Sequence, residues 1–428
     1  MFKEILHLKL KIAARLVLHK YKPEVIGITG SVGKTSAKEA IYTVLESKFN
    51  VRKNIKNYNN EIGLPLTVIG VESPGKNPIG WFNVGLKVLR LMLIRDKNYP
   101  KILILEMGID RPGDMDYLCN IIQPRIGVVT NISQSHLEYF ESLAQIQKEK
   151  SKLIKQLPKG GWAVLSSDNE KAKSIANLNK GVNLLTYGFS FDALVRARDD
   201  KVIYSKDGDP AGLNFKLAYN GSAVPVMVPG VVGSPMIKAS LAAAALGVAY
   251  GMNSVEISDA MRNLKFPPGR SCILKGIDGC TLVDDTYNAS PVSAMAIIAA
   301  IDKIRIKKGA QRWAILGDML ELGSFQEEGH KQVGCAVTFS KINKLIVVGD
   351  LGFKIGKAAQ KAGMKESNIY YFKTSLDVCE KICELIKKDS LILVKGSQGA
   401  RMERVVKRLM NNPENAHDLL VRQGKEWS

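Results

Sequence analysis

The sequence predicts an α/β protein built mainly on parallel sheets, and three observations carry that prediction. Short uninterrupted apolar runs, Val25-Ile26-Gly27-Ile28, Ile102–Glu106 and Ile126–Thr130, alternate with stretches of helical apolar spacing. Strands buried on both faces beneath crossover helices read in that way. Pro267-Pro268-Gly269 divides the chain, and the alternation begins again beyond it. The 428 residues leave room for two or three domains. With 46% apolar and 24% charged residues, the composition excludes disordered, collagen-like and small disulfide-scaffold chains.

Residues 2–20 place Ile5, Leu8, Ile12 and Leu16 at helical spacing, and Pro23 ends that helix. The run 25–28 is a strand, followed by a glycine-containing turn and a helix from about Lys34 to Ser47. From about Leu184 to Val228 shorter alternating segments, Val202-Ile203-Tyr204 and Leu213–Tyr219, lie between the turns Asp207-Gly208 and Asn220-Gly221. That pattern predicts an antiparallel insert. An Ala-rich helix follows over Ala239–Tyr250. Beyond the linker, Thr281–Asp284, Trp313–Leu316, Leu345–Val348 and Leu391–Val394 read as strands separated by helices. The expected organisation is an N-terminal helix (1–22), a central domain (23–268) and a second α/β domain (269–428).

Lys plus Arg number 61 against 41 Asp plus Glu, a formal charge of +20. Such an excess favours nucleotides, phosphorylated substrates, nucleic acid or an acidic membrane surface as partners. No aromatic–basic platform supports nucleic acid, which is set aside. The six cysteines form no C-x-x-C, as in a reducing compartment. No apolar run is long enough to span a membrane, and Lys9, Lys11 and Arg15 interrupt the N-terminal segment. A cytoplasmic location is expected.

Thr29-Gly30-Ser31-Val32-Gly33-Lys34-Thr35-Ser36 lies between a predicted strand and a predicted helix. Glycines let backbone N–H groups turn inward to cradle phosphate oxygens, and the helix N-terminus adds partial positive charge. Lys34 would reach the outer phosphates of ATP and the Thr35 hydroxyl would bind Mg²⁺. Ile28 stands where the usual pattern has its first glycine.

This loop resembles that of the Mur ligases, the ATP-dependent amide ligases of peptidoglycan synthesis. Further segments resemble the MurF-type branch: Asn59-Asn60-Glu61-Ile62-Gly63-Leu64-Pro65-Leu66-Thr67, Leu105-Glu106-Met107-Gly108 with Pro112-Gly113-Asp114, and Val129-Thr130-Asn131-Ile132 with His136-Leu137-Glu138. So do Asp284-Asp285-Thr286-Tyr287-Asn288-Ala289-Ser290-Pro291, Leu316–Gly323 with His330, and Lys395-Gly396-Ser397 with Arg401-Met402-Glu403. The resemblance implies a phosphate-loop central domain and a Rossmann-like C-terminal domain. It implies a monomer that joins D-alanyl-D-alanine to the peptide of a peptidoglycan precursor, with ATP going to ADP and phosphate. Cell-wall biogenesis, cell shape and division would depend on that reaction. The alternative readings are a related ligase with a non-UDP acceptor and a non-catalytic nucleotide-binding relative.

The chemistry requires cations, because a carboxylate must first be phosphorylated before an amine can attack it. Lys34 is one; Arg270 matches a family arginine that reaches the ATP phosphates. By the same resemblance Glu106 and His136 lie near the metal with Thr35, and Lys150 matches a lysine that some Mur ligases carry as a carbamate. Lys148 and Lys152 flank it, so a solvated charge run is the competing reading. Asp285, Tyr287 and Asn288 correspond to nucleotide contacts. Asn59, Asn60, Asp318, Glu321, His330, Lys395 and Ser397 are expected on the substrate side.

Three departures accompany the resemblance. About 24 residues precede the phosphate-loop strand, enough for one helix but not for the domain with which MurF-type ligases grip the UDP-sugar, so the UDP-muramoyl part of the acceptor stays open. Gly233-Ser234-Pro235-Met236 replaces a family Gly-x-His-Asn. An apparent insertion at 73–99 interleaves Trp81, Phe82, Leu86, Leu89 and Leu93 with Lys87, Arg90 and Arg95. It reads either as a buried covering helix or as a basic amphipathic helix in peripheral contact with a membrane.

Overall fold

The computed structural model describes residues 2–55, 58–134, 139–140, 142–424 and 427. The N-terminal apolar spacing forms α1 (Phe2–Tyr21). The first sheet is built from β1 (Glu24–Thr29), β2 (Val51–Lys53), β3 (Ile102–Glu106), β4 (Ile126–Val129), β5 (Trp162–Ser166), β6 (Asn183–Gly188), β7 (Val195–Tyr204), β8 (Pro210–Tyr219) and β9 (Ser222–Pro229). Its spatial order is β2-β3-β1-β4-β5-β6-β7-β8-β9. Pairing is parallel from β2 through β7 and antiparallel from β7 to β9. The expected insert is therefore a meander that extends the main sheet; β6, within the segment expected to be antiparallel, runs parallel to β5 because its apolar face continues the same buried layer.

Helices α2 (Lys34–Glu46), α3 (Gly63–Ile69), α4 (Pro78–Leu93), α5 (Asp114–Ile122), α6 (Leu143–Lys155), α7 (Glu170–Lys173), α8 (Ser234–Ala249) and α9 (Ser254–Met261) complete this unit. Two apolar layers cover the sheet. On one face α2, α8 and α9 bury Ala40, Ile41, Val44 and the Ala-rich run 242–245. On the other, α1, α3, α4, α5 and α6 cover Leu103, Leu105 and Val129. Burial on both faces is why β1, β3 and β4 read as continuous apolar runs.

The second sheet comprises β10 (Cys272–Lys275), β11 (Thr281–Asp285), β12 (Arg312–Gly317), β13 (Lys344–Val348), β14 (Ile369–Phe372) and β15 (Leu391–Lys395), in the order β10-β11-β15-β12-β13-β14. Only β10 is antiparallel, at an edge. Its helices are α10 (Pro291–Lys303), α11 (Gln326–Thr338), α12 (Gly352–Lys361), α13 (Ser375–Leu385), α14 (Glu403–Leu409) and α15 (Ala416–Leu419). The two sheets meet at 230–233 and 269–273, where Val232 N–H donates to the Ser271 carbonyl (3.1 Å) and Ile273 N–H to that of Gly230 (2.9 Å).

Candidate active site

The first sheet changes direction of growth at β1, which lies between β3 and β4. In open α/β sheets such a switch point opens a crevice beyond the strand ends. The register sets Ile28 opposite Glu106, so the end of β3 stands beside the turn that follows β1. That turn is held tightly. Gly33 has φ 88°, a left-handed conformation that suits glycine. A Cβ on Gly30 would collide with the Thr130 hydroxyl. Ser31 N–H donates to the Asn131 carbonyl (2.7 Å), and Thr130 Oγ1 donates to the Val32 carbonyl (2.7 Å). Thr29, fully buried, donates its hydroxyl to the Met107 carbonyl (3.1 Å) and supports the loop from below.

The loop opens onto a cleft of about 270 Å³ between the two sheets. Its walls include residues 31–36, Asn59, Asn60, Glu106, Arg270, Asp285, Tyr287, Asn288, Glu321 and Lys395. Lys34 Nζ folds back onto the Gly30 carbonyl (2.8 Å). Desolvation lowers its pKa from the ordinary value; Glu106 opposes that shift and Arg270 adds to it. Arg270 crosses from the second domain: Nη2 donates to Thr35 Oγ1 (3.3 Å), and the guanidinium stacks 3.7 Å from the Tyr287 ring centroid. Gly269, at φ 70°, lets the backbone approach this ring; a Cβ there would sit 2.8 Å from Tyr287 N.

Glu106 is 3% exposed. Its Oε1 accepts from Asn59 Nδ2 (3.3 Å), and Lys38 Nζ lies 3.9 Å from Oε2. Oε2 has no hydrogen-bond partner among the described residues, and neither has buried Arg270 Nε. A buried carboxylate oxygen and a hydroxyl at a phosphate loop are the hard donors that Mg²⁺ takes alongside phosphate oxygens. Asn60 is engaged elsewhere: its Oδ1 accepts the N–H groups of Ile62 and Gly63 at the start of α3 (3.3 and 3.0 Å).

Lys150 lies on α6, 2% exposed. Burial drives its pKa well below the ordinary lysine value, and the charge of Lys34 pushes the same way. The solvated-run reading fits Lys152, which pairs with Asp116 and Glu149 (2.6 Å each), but not Lys150. His136 lies outside the described residues.

The substrate side differs from expectation. Asp285 does not present a free carboxylate: Oδ1 accepts from Ser271 N–H and Oγ (3.0 and 3.2 Å), and Oδ2 pairs with Lys395 Nζ (2.6 Å). Asp318, His330 and Ser397 do not line the cleft. Asp318 Oδ1 accepts from Gly352 N–H (2.7 Å), and Ser397 Oγ accepts from Leu320 N–H (2.8 Å). His330 Nε2 accepts from Met319 N–H (3.0 Å), so Nδ1 carries the proton and donates to the Gln326 carbonyl (2.6 Å). Burial lowers the imidazole pKa, consistent with that neutral form. These three side chains scaffold the loop 319–322, which presents Leu320, Glu321 and Leu322 to the cleft.

Sequence reasoning passed over Lys38, Asp110 and Ser271. Lys38 is 1% exposed and donates to the Asn54 carbonyl (3.0 Å). Its signal was its spacing, one turn beyond Lys34 on the same helix face. Asp110, four residues past Glu106, joins the cleft wall and contributes to the electrostatics of both Lys34 and Lys150. Pro235 and Met236, which replace the family His-Asn, also line the cleft.

Residues 28–76 and 82–247 match the Mur ligase middle domain, and residues 269–398 match the Mur ligase, glutamate ligase domain. Over 402 residues the chain is 30% identical to the UDP-N-acetylmuramoyl-tripeptide--D-alanyl-D-alanine ligase of Escherichia coli strain K12, covering 93% of this chain and 79% of that protein. The Bacillus subtilis strain 168 ligase of the same name is 28% identical over 400 residues, covering 94% and 79%. The MurF ligase of Thermotoga maritima, solved in complex with ADP, superposes with a TM-score of 0.75 at 25% identity, covering 94% of this chain and 83% of that one. MurF from Acinetobacter baumannii shares the fold, with a TM-score of 0.77 at 22% identity over 94% of this chain and 79% of that one.

Proposed function

The chain belongs to the Mur ligase family of ATP-dependent acid–amino-acid ligases, and on that premise we propose that it joins D-alanyl-D-alanine to the peptide carboxylate of a peptidoglycan precursor. The observation that carries this reading is the convergence of Lys34, Glu106 and Arg270, from two domains, on one cleft. The phosphate loop cradles the ATP phosphates with its backbone N–H groups. Lys34 and Arg270 offset charge on the γ-phosphoryl group as it passes to the carboxylate oxygen. The amine of the dipeptide then attacks the acyl carbon, and phosphate leaves.

Mg²⁺, when bound, neutralises charge on the phosphate oxygens; Thr35 Oγ1 and Glu106 Oε2 would hold it, with His136 as the further family position. Lys150 is the carbamate position. Its buried amine, in the neutral form that burial favours, adds to carbon dioxide, forming an N–C bond with release of a proton, and the resulting anion offers further oxygen donors in the cation-rich pocket. Asp285, locked by Ser271 and Lys395, shapes the nucleotide side together with Tyr287 and Asn288. Glu321 and Asn59 face the substrate. Asp318, His330 and Ser397 act through the loop they hold.

Six free cysteines suit the reducing conditions of a cytoplasmic enzyme. The test is phosphate release from ATP with UDP-muramoyl tripeptide, with and without D-alanyl-D-alanine. Release that requires both supports the reading. Release indifferent to the dipeptide overturns it, and release with a different acceptor alone moves the chain to the related-ligase alternative.

A further inference from the structure

One face of the first domain is apolar beyond anything that packing within the chain uses. α4 buries only Val84 and Leu91 fully. Ile79, Phe82, Leu86, Leu89 and Leu93 recur every three or four residues and stay exposed, Phe82 at 66% and Leu93 at 74%. On α1, Leu10, Ala14 and Val17 pack inward, while Ile5, Leu8, Ile12 and Leu16 remain about half exposed. The inward residues of both helices belong to one core layer, so their outward stripes share one side of the molecule. The pair is joined firmly: Lys20 Nζ donates to the carbonyls of Leu91 and Met92 (2.8 and 2.7 Å), and the Tyr21 hydroxyl to that of Leu91 (3.0 Å).

Cations outnumber acids around these stripes, where Glu4, Glu72 and Asp96 are the nearby carboxylates in sequence. Lys9 and Arg15 on α1, Arg90 on α4 and Arg95 and Lys97 just beyond it are exposed. α4 contains no acidic residue and α1 only Glu4. A second copy placed here would bring its own cations against these, in a chain already carrying +20. An anionic lipid surface answers both features, since its headgroups neutralise the cations while the apolar stripes enter the acyl boundary.

We infer that α1 and α4 together form an in-plane docking face for an anionic lipid bilayer. Two linked helices matter, because a single short apolar anchor gives marginal attachment. Neither helix is long and apolar enough to span, and none of these residues lines the ligase cleft. The inference therefore stands apart from the acceptor reading.

The experiment is co-sedimentation of the full chain with phosphatidylcholine vesicles, with and without phosphatidylglycerol, at low and high salt. The expected result is binding that needs the anionic lipid and weakens with salt. Phe82→Glu combined with Leu89→Glu should lower partitioning at least about tenfold while ATP-dependent ligation in solution is unchanged. A second variant, Lys87→Gln with Arg90→Gln and Arg95→Gln, keeps the apolar stripe and should lose the preference for anionic vesicles. Absence of wild-type binding, equal binding to both vesicle types, or retention in both variants would overturn the inference. So would a dimer, seen by light scattering, that the Phe82/Leu89 variant converts to monomer, because that result makes a second copy the occupant.

Discussion

The two walls of the cleft handle their polar groups in opposite ways. Around the phosphate loop, Glu106 Oε2 and the Nε of Arg270, which reaches across from the second domain, are buried and lack hydrogen-bond partners among the described residues. On the facing wall Asp285 is held by Ser271 and Lys395, and behind that wall His330 is held by Met319 and Gln326 and Ser397 by Leu320. Burying a polar atom without a partner is costly, so a wall that keeps such atoms is built for a ligand. A wall whose polar atoms satisfy one another is built for shape. The comparison teaches that one side of the cleft supplies chemistry and the other supplies a rigid loop.

Substituting Lys34 by alanine tests the chemical wall most severely. Loss of one charged transition-state contact costs about 3–4 kcal/mol, so steady-state ATP consumption should fall by roughly 200- to 900-fold. The thermal midpoint should barely move, because among the described residues the side chain gives up a single hydrogen bond, to the Gly30 carbonyl. Near-normal turnover would remove Lys34 from the phosphate site.

Asp284 sharpens the comparison from the junction of the two sheets. It accepts Gly269 N–H (3.1 Å) and Thr286 N–H (3.1 Å), and burial pushes its carboxyl from 3.8 up to about 6. A raised pKa means that the folded state holds the proton more tightly than the unfolded chain. Its contribution to stability is complete below pH 3.8 and is lost as pH rises through about 6. A shift of this size corresponds to about 3 kcal/mol at most. Unfolding midpoints across pH 4–7 should therefore show a downward component with rising pH that Asp284→Asn removes. Parallel profiles for the two proteins would contradict the assignment.

His330→Ala probes the shaping wall. It strands Met319 N–H in a buried site, a loss of about 1–3 kcal/mol. Stability should drop and the KM for the dipeptide should rise, while the ATP KM stays within about twofold. A selective fall in kcat would return His330 to the chemistry. The smallest effect is expected for Ser397→Ala, about 1 kcal/mol of stability from the Leu320 contact, measured by denaturant midpoint.

The legibility of the two walls follows from the same contrast. Strands β1, β3, β4, β12, β13 and β15 are buried on both faces and read as apolar runs, while β11 carries Leu282-Val283 ahead of two buried aspartates. β2 is three residues long and carries Arg52 and Lys53, and β10 lies at an edge, so neither has that pattern. β6 begins with two exposed residues, which blurs its period and hides its parallel pairing. The phosphate loop was legible because glycines, lysine and threonine are contiguous between a strand and a helix. The roles of Asp318, His330 and Ser397 were not, because each depends on backbone groups that only the tertiary fold brings to them. The 73–99 segment showed its helical period, but not that α4 would bury so little of its apolar surface.

The central claim is that Glu106 Oε2, which accepts no hydrogen bond among the described residues, serves the metal that accompanies ATP. It is tested most directly by titrating Mg²⁺ against ATP consumption for the wild type and for Glu106→Gln. Glutamine preserves the shape and can keep the Asn59 contact but removes the charge. The account predicts at least about a tenfold increase in the Mg²⁺ concentration required, with an unchanged thermal midpoint. An identical Mg²⁺ requirement in a folded, active Glu106→Gln protein would contradict it.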